Sequence, residues 1–420
     1  MTGGLQASGA PPKVLLVTYG SVGDVRPLAA LGQVLRARGV RVGVCAPPDS
    51  RALIAALDLP FFPMGGNVRK LMKAYAGRLV ARPLTATVPM TRLLRRELEI
   101  QFRQLPEIVA GADLVVGSGL ALAVPSVAEA CGVPYTYAVS IPLLLPSPDH
   151  APLTVPWQNL PSVCNRVLWR LAAGMLDLGY RGLVNRCRRR LGLSPLTHVM
   201  QHLTGNLTVA ADPELAPLPP EAPPGCRQTG YWHAPPAGDP LPAAVEAFLG
   251  KRPKPIYIGF GSMVDPAPYR TIALLRQAVR RSGQRAVIQS GWAGWVFESD
   301  VRCLCVPRPL PHDRLFPRVA AAVHHGGAGT VMAAARAGIP QAVVPHLLDQ
   351  YYWGQRVQKL GIGPAPLDRK RLDSERLPRT LETIAGSAAL RARAQALAVP
   401  LRRRNGALDA AHWIMGQIGG

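Results

Sequence analysis

The sequence predicts two α/β domains, each a doubly wound parallel sheet, that face one another across a cleft. Short apolar runs alternate with helical stretches in both halves of the chain, and several of these runs end in glycine-rich turns. Between the halves, from Asp212 to Asp239, the composition turns rich in proline. A length of 420 residues also exceeds what one ordinary core holds. The boundaries read as a first domain over 1–215, a linker over 216–240, a second domain over 241–400 and a closing helix over 401–420.

The elements follow in order. Lys13 to Thr18 is a strand, Tyr19-Gly20-Ser21-Val22-Gly23-Asp24 a glycine loop, Arg26 to Arg38 a helix closed by Gly39, and Val40 to Cys45 a second strand. This is a βαβ unit with a short crossover, the start of a parallel sheet. Asp113 to Gly117 and Pro134 to Val139 are later strands, with a helix near Ala123–Cys131. After the proline-rich stretch the alternation restarts: Pro255 to Ser262 is a strand entering a glycine turn, and Ala286 to Gln289, Ala320 to Val323 and Gln341 to Pro345 are strands with helices between them. In such folds ligands bind where loops leave the carboxyl ends of the strands.

Composition bounds the partners. Lys and Arg number 48 against 25 Asp and Glu, a formal net charge of +23. Nine basic residues between Gly66 and Gln104 face only Glu97 and Glu99, and Arg186, Arg188, Arg189 and Arg190 form a second cluster. Both sit among apolar residues at helical spacing, which suits an anionic membrane surface, RNA or an acidic ligand, or simply a solvated face, and composition leaves these open. No nucleic-acid motif accompanies the charge, so nucleic acid is not expected as a partner. The seven cysteines form no Cys-x-x-Cys pair, which reads as reduced thiols and no zinc clip. Met1 to Pro12 is polar and small, and the charge-free stretch Ala130–Pro148 carries four prolines, so neither a signal peptide nor a spanning helix is expected. The expected location is cytoplasmic, with peripheral contact at the inner face of a membrane as the reading of the basic clusters.

The strongest chemical signal is His324-His325-Gly326-Gly327-Ala328-Gly329-Thr330, between a strand and a helical run. Glycines there let backbone N–H groups approach a phosphate, the helix start adds partial positive charge, and an imidazole can donate to a pyrophosphate oxygen. Gly259-Phe260-Gly261-Ser262 is a second turn able to serve the same anion. Neither a P-loop nor a Gly-x-Gly-x-x-Gly fingerprint is present.

Together these residues resemble the nucleotide-sugar-dependent glycosyltransferases of the GT-B fold, family 1/28-type, in the branch of bacterial antibiotic and macrolide, rhamnolipid and sterol glycosyltransferases. Gly20 to Pro27 looks like the family's first loop. Tyr257 to Met263 and Gln289-Ser290-Gly291-Trp292 look like the start of its donor domain, and His324 to Thr330 with Pro345, Asp349 and Gln350 like its donor signature. The resemblance implies that His325 and the backbone of Gly327, Ala328, Gly329 and Thr330 hold the donor pyrophosphate, with His324 as a neighbour. Ser262 beside Gly261 would bond a phosphate oxygen, Trp292 and His312 would lie around the donor, and Asp349 with Gln350 would hold sugar hydroxyls. Asp24 matches the family's general base, which takes the proton of the attacking hydroxyl. It also reads as an N-cap for the helix near Arg26, and both roles can coexist. Gly23 and His150 are expected on the acceptor side.

Three departures stand out. Val22 replaces an arginine of many antibiotic-type relatives, Arg314 an aromatic residue of sterol-type ones, and Ala333 a glutamate that plant-type relatives use for the ribose. No Asp-x-Asp offers a metal site. The resemblance therefore implies an inverting transfer without metal or other cofactor, from a UDP- or dTDP-sugar to a hydroxyl of a hydrophobic acceptor such as a sterol, lipid or polyketide. The rivals are a nucleotide-sugar epimerase of the same fold and a binding protein without turnover.

Overall fold

The computed structural model describes residues 10–81, 83–233 and 240–418. The first sheet holds β1 (Lys13–Tyr19), β2 (Arg41–Ala46), β3 (Phe61–Pro63), β4 (Leu114–Gly119), β5 (Tyr135–Val139), β6 (Leu207–Val209) and β7 (Arg227–Gln228), in the order 3-2-1-4-5-6-7. The second holds β8 (Ile256–Gly259), β9 (Ala286–Gln289), β10 (Cys303–Val306), β11 (Ala322–His324) and β12 (Gln341–Val343), in the order 10-9-8-11-12. Every pairing is parallel. Strands such as Val14 to Val17 and Ile256 to Ile258 are buried on both faces, which is why they read as continuous apolar runs.

In each sheet the winding reverses once, between β1 and β4 and between β8 and β11. Loops leaving the carboxyl ends of such neighbours diverge and open a crevice. The glycine loops after β1, β8 and β11 all leave from these points.

Two boundaries differ from the sequence expectation. The helix expected from Arg26 begins at Val22, because Ser21 caps it and Asp24 completes a capping box from its third position. The proline-rich stretch over 216–240 is not all linker: β7 extends the first sheet within it, and Trp232 joins the core around β1. Residues Ala234–Asp239 of that stretch lie outside the described residues.

The halves are joined by more than covalent chain. One apolar cluster takes Tyr137, Val209 and Tyr231 from the first sheet's side and Val331, Val343 and Trp353 from the second. The final helix, Gly406–Ile418, packs Ala407, Ala411 and Ile414 into the core of the first domain. Where it crosses, a side chain on Gly406 would collide with the Gly230 backbone and one on Gly230 with the Arg404 side chain, and Arg404 pairs with Glu214 and, at 3.4 Å, with Asp212.

Candidate active site

Two adjacent histidines stand at the end of β11, His324 as its last residue and His325 just after it, and they differ in their partners. His324 is fully buried and satisfied: its Nδ1 accepts from the Gly326 N–H at 3.1 Å, so Nε2 carries the proton and donates to Gln341 Oε1 at 2.9 Å. His325 is also buried, but its Nδ1 has no partner. Burial first, then the neighbouring His324, His346 and His312, holds its pKa well below the usual value, so the ring is neutral. Glycine makes its slot: a side chain at Gly261 would meet the ring at 2.9 Å, and one at Gly327 would collide with it.

The helix Ala328–Ala337 starts directly after this slot. Its N-cap, Gly327, has no side chain to cap it, so the first N–H groups, including those of Ala328 and Gly329, lack a capping acceptor from that residue. Thr330 donates its N–H to the Gly327 carbonyl at 3.0 Å and brings its hydroxyl into the same turn. An uncapped helix start beside a neutral imidazole presents the donors that an anion site requires.

Loops from β8, β9 and β12 complete this side. Gly261, at φ +56°, accepts from the Trp292 N–H at 2.9 Å, which ties the Ser262 turn to the Trp292 loop. His312 stacks on Phe316 at 4.3 Å and meets Tyr257 edge-on at 5.4 Å; burial, and then the charge of Arg26, lowers its pKa to about 3. Asp349 follows Leu348, a non-glycine residue held at φ +53°. Burial and then the charge of Asp24 raise Asp349 to about 7. Gln350 is expected to hold a sugar hydroxyl, but its Oε1 accepts from the N–H groups of His346 and Leu347 at 2.8 and 3.1 Å and its Nε2 donates to Met263 Sδ at 3.4 Å. In this structure its amide braces the loop.

Asp24 lies opposite, on the first domain. Its Oδ2 accepts from the Ser21 N–H at 2.8 Å and from Ser21 Oγ at 3.2 Å, while Oδ1 lies beside Gly119. Burial raises its pKa, against the lowering effect of the Ser21 bonds. Gly23 is exposed and spends its N–H on Ser21 Oγ. His150, read from the sequence as a loop histidine on the acceptor side, is instead buried at the seam between the domains, edge-on to Trp169 and to Tyr352. Desolvation lowers its pKa to about 4, and it borders a cavity of about 220 Å³ that shares no lining residue with the Asp24 loop.

Three residues of this arrangement were not singled out from the sequence. Tyr231, from the first domain's side, is buried with its hydroxyl 2.8 Å from where a side chain at Gly329 would sit. Arg26 sends its charge across to His312 and Tyr231. Arg69 lies over the Trp292 ring at 5.6 Å. Arg26 adjoins the Asp24 loop and Arg69 belongs to the basic cluster between Gly66 and Gln104, which are local signals; Tyr231 has none.

Comparison with known proteins decides the family. Residues 300–402 match the family model of the erythromycin biosynthesis protein CIII-like C-terminal domain. Glycosyltransferase GtfE of Amycolatopsis orientalis is 41% identical over 84% of this chain and 85% of its own length. The chain belongs to the family 1 GT-B glycosyltransferases. The vancomycin aglycone glucosyltransferase of the same organism is 38% identical over 84% of this chain and 85% of its own. Sterol 3-beta-glucosyltransferase UGT80A2 of Arabidopsis thaliana is 30% identical, with 85% of this chain and 58% of that one covered. The fold agrees with that of the solved glycosyltransferase VinC in complex with dTDP, at TM-score 0.70, 18% identity and coverage of 97% and 99%. A glycosyltransferase uses a nucleotide sugar and an acceptor, so the epimerase and binding-only readings fall away.

Proposed function

We propose that this glycosyltransferase moves a hexose, with inversion and without a metal, from a UDP- or dTDP-sugar to a hydroxyl of a hydrophobic acceptor. The observation that supports it most is the unpartnered Nδ1 of His325 beside an uncapped helix start. A diphosphate seated there would accept from the neutral imidazole and from backbone N–H groups, and these donors act most strongly on charge that builds as the bond breaks. Ser262 and Thr330 add hydroxyl donors, and Asp349 accepts from the sugar hydroxyls.

In the reaction the acceptor oxygen attacks the anomeric carbon, the bond from that carbon to the diphosphate oxygen breaks on the opposite face, and the hydroxyl proton passes to Asp24. Its raised pKa makes Asp24 a better base than an ordinary aspartate. The tie to Ser21 leaves Oδ1 for the proton. A hydrophobic acceptor is supported by relatives that include a vancomycin aglycone glucosyltransferase and sterol glucosyltransferases. Turnover of UDP- and dTDP-glucose with a panel of sterol and polyketide alcohols, with the product's anomeric configuration read by NMR and EDTA present, tests this. Retention of configuration, or activity lost to EDTA, contradicts it.

A further inference from the structure

We propose that one face of the helix Ser162–Leu176, with the turn after it, docks in the plane of an anionic lipid bilayer. Val163, Val167, Leu171 and Met175 recur every four residues and Leu178 follows, so they form one stripe, roughly 22 Å long at the rise of a helix. Their exposure runs from 49% to 87%. Trp157, exposed on the preceding loop, has the amphipathic ring that settles at a headgroup boundary. No helix among the described residues is long and apolar enough to cross a membrane, so the contact is in-plane.

Charge selects the occupant. Arg166 and Arg170 follow Val163 and Val167 by three residues and border the stripe. The backbone stays helical through Leu176 and Gly182 into Gly182–Arg190, where Arg186, Arg189 and Arg190 are also exposed. Along Ser162–Arg190 the single acid is Asp177, and it is engaged by His198 at 3.0 Å and by the Val199 N–H at 2.8 Å. Arg188 is the exception to the exposed cluster expected from the sequence, buried on Glu129 at 2.7 and 2.9 Å. An apolar stripe edged by arginine fits acyl chains beneath anionic headgroups. A second copy of a chain carrying +23 fits it poorly, because like charges would meet.

The test is flotation of the protein with vesicles of phosphatidylglycerol and phosphatidylcholine, compared with phosphatidylcholine alone. No sugar donor is present, so the result stands apart from the transferase reading. Wild type is expected to float with the anionic vesicles at low salt and at least about tenfold less with the zwitterionic ones. Val167→Glu/Leu171→Glu/Met175→Glu is expected to lose binding at least about tenfold with its melting temperature kept, since all three sites are exposed. Arg166→Glu/Arg170→Glu should weaken it in a salt-dependent way. The proposal is overturned if wild type does not float, if both vesicles bind alike, or if the triple variant binds as wild type does. It is also overturned if light scattering shows a dimer that the triple variant abolishes, which would give the face to a second copy.

Discussion

The loops after β1 and β11 each leave a strand that borders the reversal of winding in its sheet, β1 as the first strand of its domain and β11 as the fourth, and each opens a helix, yet they do opposite things with the helix start. After β1, Ser21 and Asp24 satisfy the first turn themselves: the serine hydroxyl accepts from Gly23 and the aspartate accepts from Ser21. After β11, Gly327 stands at the cap with no side chain, and a neutral imidazole waits beside it without a partner. A self-capped helix start cannot serve a phosphate, whereas an uncapped one can. In the proposed reaction the first loop offers a carboxylate to the acceptor and the second offers N–H groups to the donor. On that proposal a base stands on one side of the cleft and an anion cradle on the other.

The largest test of this division is Asp24→Asn. It should lower turnover by about 10² to 10⁴, the usual worth of a general base, while nucleotide affinity stays near wild type. Asparagine keeps an oxygen for the Ser21 N–H, so the fold should survive; steady-state kinetics beside calorimetric titration with UDP and dTDP would show whether the two quantities separate. His325→Ala should do the reverse at somewhat smaller scale. Losing a donor to a charged group is worth about 1.5–3 kcal/mol, so the dissociation constant for the diphosphate should rise roughly 10- to 150-fold.

His324→Ala sharpens the contrast between neighbours. It strands the Gly326 N–H and Gln341, at about 1–3 kcal/mol of stability, so its chief effect should be a lower melting temperature. If His324→Ala weakens the diphosphate more than His325→Ala does, the roles have been exchanged. pH reads the coupling across the cleft. Donor affinity should weaken as pH falls through about 7, where Asp349 takes up its proton. In Asp24→Asn that limb should move to lower pH, because the charge that helps to raise Asp349 is gone; an unmoved limb would mean the two carboxylates do not sense one another. The smallest effect is expected from Arg69→Ala, which removes an exposed cation–π contact worth about 0.5–1 kcal/mol, seen as a change in donor KM of about fivefold or less.

What could be read from the sequence was local. β1, β5, β8, β9 and β12 announce themselves as apolar runs, and the glycine turns mark where those runs stop. His325 was separable from His324 only through resemblance; the structure adds the physical distinction, one ring satisfied and one not. The remainder depends on contacts distant in sequence. β3, β6 and β7 are two or three residues long and exist because a neighbouring strand pairs with them. His150 is buried by Tyr352 and Tyr231 reaches Gly329, contacts that arise where the two domains meet and leave no pattern along the chain. Gln350 shows the limit from the other direction: a residue type suited to sugars is occupied by two backbone donors and a thioether.

The central claim is that donor grip and proton transfer lie on opposite loops, and nucleotide-induced thermal shift tests it most directly. UDP or dTDP at 100 times its dissociation constant should add about 2.7 kcal/mol to wild type and to Asp24→Asn, and only about 0.3–1.4 kcal/mol to His325→Ala at the same concentration. A shift in His325→Ala as large as in wild type, or one that disappears in Asp24→Asn, would contradict the account.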